Sequence, residues 1–326
     1  MKYAKILSTG GRVPDRVVKN SFFDYLIEDA DDWIFSRTGI RERRFASEEE
    51  ATSDSATAAS LLALERGKID PLSLNCIIVG TSTPDMVLPP TACMVQKNIG
   101  AANAFAFDMN AVCSGFVYAV EVADNFIKSG KYNRVLVIGA DTYSKMLNFQ
   151  DRSTCPLFGD GAGAVILEST TERTGILHTH IQSDGNRWDL IKVPSSGSRK
   201  PITAETIALR ENTFKMAGRS VYTFATDIIP KLIAGVCEGA GIRPEDLDFV
   251  IPHQANSRII DVITKKTGIP GERILLNLDR YGNTAAASVG LALDENLRNG
   301  VIREGNLVLI MGFGGGLSWG GILIRI

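Results

Sequence analysis

Three residues far apart in the chain have side chains suited to thiol chemistry: Cys113, His253 and Asn283. A cysteine thiolate is a nucleophile, an imidazole exchanges protons near neutrality, and a carboxamide donates hydrogen bonds at any pH. Cys113 lies in Asn110-Ala-Val-Cys-Ser-Gly115, after an apolar run (104–109) and before a helical pattern (114–131). The thiol is therefore expected at a helix N-terminus, where unpaired amides and the helix dipole favour the thiolate. His253 directly follows the strand-like run Asp248-Phe-Val-Ile251. That is the C-terminal edge of a strand, where open α/β sheets gather their active sites. Asn283 precedes another helical pattern, as Cys113 does, and reads as its internal counterpart.

The remaining candidates are weaker. Cys76 and Cys237 sit within apolar patterns and Cys93 on a helical stretch (91–98), the usual places of packing cysteines. Cys155 is a loop thiol between Thr154 and Pro156. His178 and His180 alternate along a strand-like stretch with no third ligand nearby, which favours a structural role over a metal site. A cysteine, histidine and asparagine in this order would also suit a papain-like protease. The local signatures of that family are absent, and its layout differs from the one read below.

Glycine supplies a further part. The chain has 31 glycines in 326 residues, about 10 % against a usual ~7 %, and six of them fall within residues 312–321. The cluster follows a strand-like run. It lacks the Lys-Ser/Thr of a phosphate loop and the following helix of a dinucleotide fingerprint. It reads as backbone brought close to a substrate, with amides available to hold an oxyanion.

The elements that must position these residues form one unit written twice. Short runs such as 76–79, 135–138 and 164–167 read as buried strands, with a helix over 114–131 between them. The same order recurs as strands at 248–251, 307–310 and 321–324, with a helix over 285–298. Val79 and Cys113 are 34 residues apart, and Ile251 and Asn283 are 32 apart. A layered α/β fold of two halves is expected, 1–170 with the nucleophile and 171–326 with the histidine and asparagine.

Composition excludes several classes. Lys plus Arg is 35 and Asp plus Glu is 37, so the net charge of −2 does not fit a basic nucleic-acid binder. Five cysteines, an odd number with no C-x-x-C pair, argue against a disulfide framework or structural zinc and for a reducing, cytoplasmic setting. The apolar runs fall far short of the ~18–20 residues of a spanning helix, and the N-terminal stretch is too short for a signal-peptide core. No membrane or nucleic-acid partner is expected.

Ala111-Val-Cys-Ser-Gly115, His253-Gln-Ala-Asn256, Gly282-Asn-Thr284 and Gly312-Phe-Gly-Gly-Gly316 occur in that order and spacing. Together they resemble the β-ketoacyl-acyl carrier protein synthase III family, the initiating condensing enzymes of bacterial type II fatty acid synthesis within the thiolase superfamily. The resemblance runs from Tyr3 to Ile326. It implies a thiolase-like five-layer αβαβα fold of two duplicated halves with mixed sheets, and a homodimer. It implies decarboxylative Claisen condensation of an acyl-CoA primer with malonyl-acyl carrier protein, without metal or cofactor. A related acyltransferase or quinolone- or polyketide-type synthase is the alternative.

Position by position, the resemblance makes Cys113 the acyl-accepting nucleophile and His253 and Asn283 the promoters of decarboxylation. The amides of Cys113 and Gly315 would form the oxyanion hole. Trp33 and Arg152 would flank the adenine of coenzyme A, with Arg37 and Thr38 nearby, and Gly218 and Asn256 would line the pantetheine tunnel. Arg258, Lys265 and Lys266 would meet the acidic carrier. Leu88 aligns where a large aromatic residue of the partner subunit often closes the acyl pocket, which implies room for a longer or branched primer. Arg219 and Thr223 depart from residues frequent in the tunnel and docking patch. The polar stretch 195–212 reads as a loop over the tunnel.

Overall fold

The central strands are apolar on both faces, and successive residues serve two different layers. In the computed structural model, which describes residues 2–326, Ile77, Val79, Leu136 and Ile138 face one outer layer of helices. Cys76, Ile78, Val135 and Val137 face the centre of the molecule. On the opposite side of that centre, Val308 and Ile310 face inward while Leu307 and Leu309 face a second outer layer. Strands buried on both faces lose the usual polar alternation, which explains the unbroken apolar runs.

The first sheet has the order Tyr3–Arg12, Gly161–Thr170, Arg134–Asp141, Cys76–Gly80, Phe105–Met109. The second has Gly175–Ser183, Ser318–Arg325, Leu307–Gly314, Phe249–Pro252. In both, the first three strands are antiparallel neighbours and the next joins in parallel. The fifth strand of the second sheet is reduced to one parallel bridge, Val250 to Ile274. Helices Gly115–Lys128 and Ala287–Arg298 fill the space between the sheets. Thr52–Gly67 and Thr91–Asn98 cover one outer face, and Gly218–Ala240 and Ile259–Thr267 the other. This is the five-layer αβαβα arrangement. Gly218–Ala240 has the length and apolarity of a membrane span. Its apolar side, including Ile229, Leu232, Ile233 and Val236, packs in the core against the second sheet.

The duplication has a different register from the one the spacings implied. Val112 and Ala285 have φ of 49° and 48°, a left-handed conformation costly for any residue but glycine. Each stands just before a central helix, and each has its N–H held by the side chain of an asparagine two residues back. Val112 N donates to Asn110 Oδ1 at 3.2 Å, and Ala285 N to Asn283 Oδ1 at 2.9 Å. Matching glycines abut the two turns: a Cβ on Gly139 would lie 2.2 Å from Ala286 O, and one on Gly312 would lie 3.0 Å from Cα of Ser114. Asn283 is thus the counterpart of Asn110, and Cys113 of Ala286. Counted from the preceding strand, Ile251 to Ala286 is 286 − 251 = 35 residues, closer to 34 than the 32 to Asn283.

One smaller expectation changes, and another finds its packing partner. The stretch 195–212 contains a short helix, Ala204–Ala208, capped by Thr203 Oγ1 accepting from Thr206 N at 3.2 Å. His178 and His180 lie against the Gly218–Ala240 helix: a Cβ on Gly239 would meet His178 Nε2 at 2.2 Å, and His180 Cε1 is 4.0 Å from the one on Gly235.

Candidate active site

Cys113, His253 and Asn283 line one cavity of about 200 Å³, together with Phe313, Gly314, Phe158, Phe214 and Met216. All three are buried, at 7 %, 2 % and 8 % exposure. Cys113 sits in the 3-10 turn Val112–Ser114 that leads into the Gly115–Lys128 helix. His253 follows strand Phe249–Pro252, and its N–H donates to Met311 O at 2.8 Å, which holds it on the neighbouring strand. Asn283 is fixed on both sides of its peptide: its N–H donates to Leu157 O at 2.8 Å, and its C=O accepts from Gly159 N at 3.0 Å. Because Asn283 Oδ1 accepts from Ala285 N, the Nδ2 donors are left for the cavity.

The imidazole has a partner that the sequence did not reveal. His253 Nδ1 lies 2.7 Å from Ser288 Oγ, and the Phe313 ring stands edge-on to the imidazole at 5.2 Å. Burial pulls the histidine pKa down to about 3, so the ring is neutral throughout the working range.

Asp141 is the second missed residue. It ends strand Arg134–Asp141 at 1 % exposure. Its Oδ2 accepts from Ala286 N at 2.9 Å, and its Oδ1 accepts from the backbone of Ser82 at 2.8 Å and Thr83 at 3.1 Å. Burial pushes this carboxyl up to about 6 against those hydrogen bonds. A charged residue closing a strand on the C-terminal side was the signal available for it.

The expected thiolate preference is opposed by the surroundings. Burial pushes the Cys113 thiol well above its ordinary value, and the Asp141 carboxylate adds to this; only the residue's own N–H supports the anion. The net direction is upward, opposite to the one a helix N-terminus alone would give. Alkylation of Cys113 by iodoacetamide is expected to rise about tenfold per pH unit from pH 6 to 9, following the thiolate fraction. Peptide mapping after timed quenching measures this, and a plateau near neutral pH would contradict it.

The glycine cluster serves several purposes. A Cβ on Gly314 would lie 2.8 Å from Cys113 Cβ and 3.1 Å from Cys113 N. One on Gly315 would meet Val112 and Ile191 at 3.2–3.3 Å. Ser318 Oγ lies 2.9 Å from the Gly315 carbonyl and 3.2 Å from Ala111 O, tying the glycine turn to the approach to Cys113. Gly320 and Gly321 instead make room for Ile181 and Val236 side chains, so that part of the surplus is packing rather than chemistry.

The outlying expected residues fall in distinct places. Gly218 and Asn256 line the cavity with the catalytic candidates. Asn256 Nδ2 donates to Arg37 O at 3.1 Å, joining the cavity wall to helix Ala30–Thr38. On that helix the Arg37 guanidinium stacks 4.4 Å from the Trp33 ring. Thr38 is buried, and its hydroxyl is engaged with Ile34 O and Ile40 N at the helix end. Arg152 is exposed, one residue before cavity-lining Ser153. Arg258, Lys265 and Lys266 line a separate surface groove with Thr223, Asp227 and Asp261. Leu88 is 79 % exposed and lies outside this chain's own cavity. Cys155 is fully buried.

The profile of the 3-oxoacyl-[acyl-carrier-protein] synthase III family matches residues 107–185, and that of its C-terminal part residues 237–326. The beta-ketoacyl-[acyl-carrier-protein] synthase III of Clostridioides difficile (strain 630) is 47 % identical over 322 residues, covering 99 % of this chain and 98 % of that protein. The chain belongs to the 3-oxoacyl-[acyl-carrier-protein] synthase III family. Among solved structures of this fold, the synthase III of Aquifex aeolicus VF5 is 40 % identical with a TM-score of 0.91, covering 99 % of this chain and all of that one. The priming β-ketosynthase of the R1128 polyketide pathway is 32 % identical with a TM-score of 0.92, covering 99 % and 96 %.

Proposed function

We propose that this chain condenses an acyl-CoA primer with malonyl-acyl carrier protein, with loss of CO2, to give 3-oxoacyl-acyl carrier protein and so initiate fatty acid synthesis. The observation that bears most weight is the convergence of Cys113, His253 and the free Asn283 Nδ2 on one buried cavity. In the first half-reaction Cys113 Sγ bonds to the acyl carbon as the carbon–sulfur bond to coenzyme A breaks. The proton lost by Cys113 is the one gained by the departing thiol, so a protonated nucleophile and a thiolate leaving group meet each other's needs. The Cys113 and Gly315 amides hold the tetrahedral oxyanion.

In the second half-reaction the malonyl carboxylate leaves as CO2 and the electron pair forms an enolate. His253 Nε2–H and Asn283 Nδ2–H donate to its oxygen. A neutral histidine suits this because it donates without presenting a charge that would stabilise the malonyl carboxylate. The enolate carbon then bonds to the acyl carbon, and Cys113 leaves and regains a proton. No metal or redox step enters the balance.

In this reading Trp33, Arg37, Thr38 and Arg152 form the mouth for the nucleotide, Gly218 and Asn256 the tunnel, and Arg258, Lys265 and Lys266 the contact for the acidic carrier. A homodimer belongs to it as well. Met86, Val87 and Leu88 project at 46 %, 86 % and 79 % exposure, and strand Phe105–Met109 lies at the sheet edge. Exposed apolar tips and unpaired strand edges are the surfaces a second copy would cover. Five free thiols suit a reducing cytoplasm.

Incubation with acyl-CoA alone is expected to add one acyl mass to the chain, lost in Cys113→Ala, with two chains per particle by native mass spectrometry. An unlabelled wild type, or equal labelling of Cys113→Ala, would defeat the acyl-enzyme; single chains would defeat the dimer. The likeness to a polyketide priming synthase supports a second reading with another acceptor. Offering the loaded enzyme malonyl groups on different carriers decides between them by product mass.

A further inference from the structure

A neutral imidazole carries one ring proton, and which nitrogen holds it decides what the other can do. The proposed enolate donor is Nε2, which faces the cavity only as a donor if Nδ1 is bare. Nδ1 lies 2.7 Å from Ser288 Oγ, and both residues are buried, at 2 % and 1 % exposure. Ser288 stands in the first turn of helix Ala287–Arg298. Its hydroxyl has no other hydrogen-bond partner among the described residues. The hydroxyl proton therefore has one acceptor available, Nδ1. A proton on Nδ1 would turn the contact around and leave the serine O–H buried without an acceptor, an arrangement native interiors avoid. Phe313, edge-on at 5.2 Å, offers no competing polar group.

We propose that Ser288 is a positioning residue that donates to His253 Nδ1 and so fixes the Nε2–H tautomer that the enolate requires. The serine touches no reacting atom. It acts from behind the imidazole, across 35 residues of sequence, by tying the ring to the central helix that begins beyond Asn283. Both enolate donors are then held from one segment: Asn283 through Ala285 N, and His253 through Ser288 three residues later. The inference rests on the proposed role of His253 as donor to the enolate.

The test uses full-length protein labelled with 15N in histidine. Nitrogen shifts of His253 are expected to show Nε2 protonated and Nδ1 bare in the wild type, and a shift of the proton toward Nδ1 in Ser288→Ala. Condensation by Ser288→Ala is expected to fall about 10- to 100-fold, by analogy with the loss seen when the hydrogen-bond partner behind a metal-ligating histidine is removed. Loading of Cys113 by acyl-CoA should change less than about twofold, because that half-reaction does not use the enolate donors. Ser288→Thr keeps the hydroxyl and should restore both tautomer and rate. A wild type protonated on Nδ1, or a Ser288→Ala variant with unchanged tautomer and unchanged condensation, overturns the proposal. Equal loss of loading and condensation in Ser288→Ala, with no rescue by threonine, overturns it in favour of a packing role. Malonyl-thioester decarboxylation unchanged in His253→Ala would overturn the donor role of His253 itself, which the nitrogen shifts report independently.

Discussion

Replacing Gly314 by alanine is expected to slow the loading of Cys113 by acyl-CoA by about 10³-fold or more, while the protein still folds. The added methyl would sit 2.8 Å from Cys113 Cβ, 3.1 Å from Cys113 N and 3.3 Å from Sγ. Blocking one oxyanion donor costs about 10²–10³, and an ångström of displacement at a nucleophile about 10². The internal duplication shows what a side chain does at this place. Gly314 ends its strand opposite Ser318, as Asp141 ends its strand opposite Gly161. In the N-terminal half that position carries a carboxylate, and its Oδ2 sits 2.9 Å from Ala286 N, the amide equivalent to that of Cys113. A carboxylate oxygen on Ala286 N is thus a built-in picture of an oxyanion on Cys113 N. Glycine at 314 keeps that position for the substrate. Single-turnover mass spectrometry measures the loading rate, and Gly185→Ala is the control, since a Cβ there meets nothing within 4 Å. Loading by Gly314→Ala within tenfold of the wild type would remove this assignment.

Much of this geometry was legible in the sequence, for a definite reason. Cys113 and His253 each follow a strand, and a chain that alternates strands and helices brings such positions to one edge. The apolar runs at 76–79, 135–138 and 307–310 were long enough to mark strands buried on both faces. Asn283 was found through an internal match that places it three residues out of register. The positive φ at Val112 and Ala285 that fixes the true register is a backbone property with no residue signature: valine and alanine are poor candidates for it. Ser288 and Asp141 escaped for another reason. Each acts on a group 35 and 145 residues away, and those pairings exist only once the two sheets close on the central helices. Strand Tyr3–Arg12 mixes polar residues and glycines, and the cavity wall at Ile191, Phe214 and Met216 comes from a polar excursion with no periodicity.

Asn283→Asp is expected to lower condensation by at least about 10³-fold while acyl loading of Cys113 stays within about tenfold of the wild type. The substitution is nearly isosteric, and the carboxylate can still accept from Ala285 N, so the turn before helix Ala287–Arg298 is kept. What changes is the atom facing the cavity. A donor to the enolate becomes an acceptor carrying negative charge. Loss of one preorganised donor accounts for about 10²–10³, and two like charges at about 4 Å near a protein surface add repulsion of up to ~4 kcal/mol. The sign of the pH dependence separates these contributions. At 8 % exposure an aspartate at 283 resists ionisation, and its protonated form can donate again. Residual condensation should therefore fall as pH rises and the acid ionises. Asn283→Ala, which loses the donor without gaining the charge, should show the smaller loss and no such slope. The wild type should show none from His253, since burial holds that imidazole neutral down to about pH 3. Rates with preloaded enzyme and malonyl carrier protein, measured from pH 6 to 8, decide the matter. An Asn283→Asp enzyme that condenses as fast as the wild type, or that loses loading and condensation together, would mean that Asn283 does not hold the enolate.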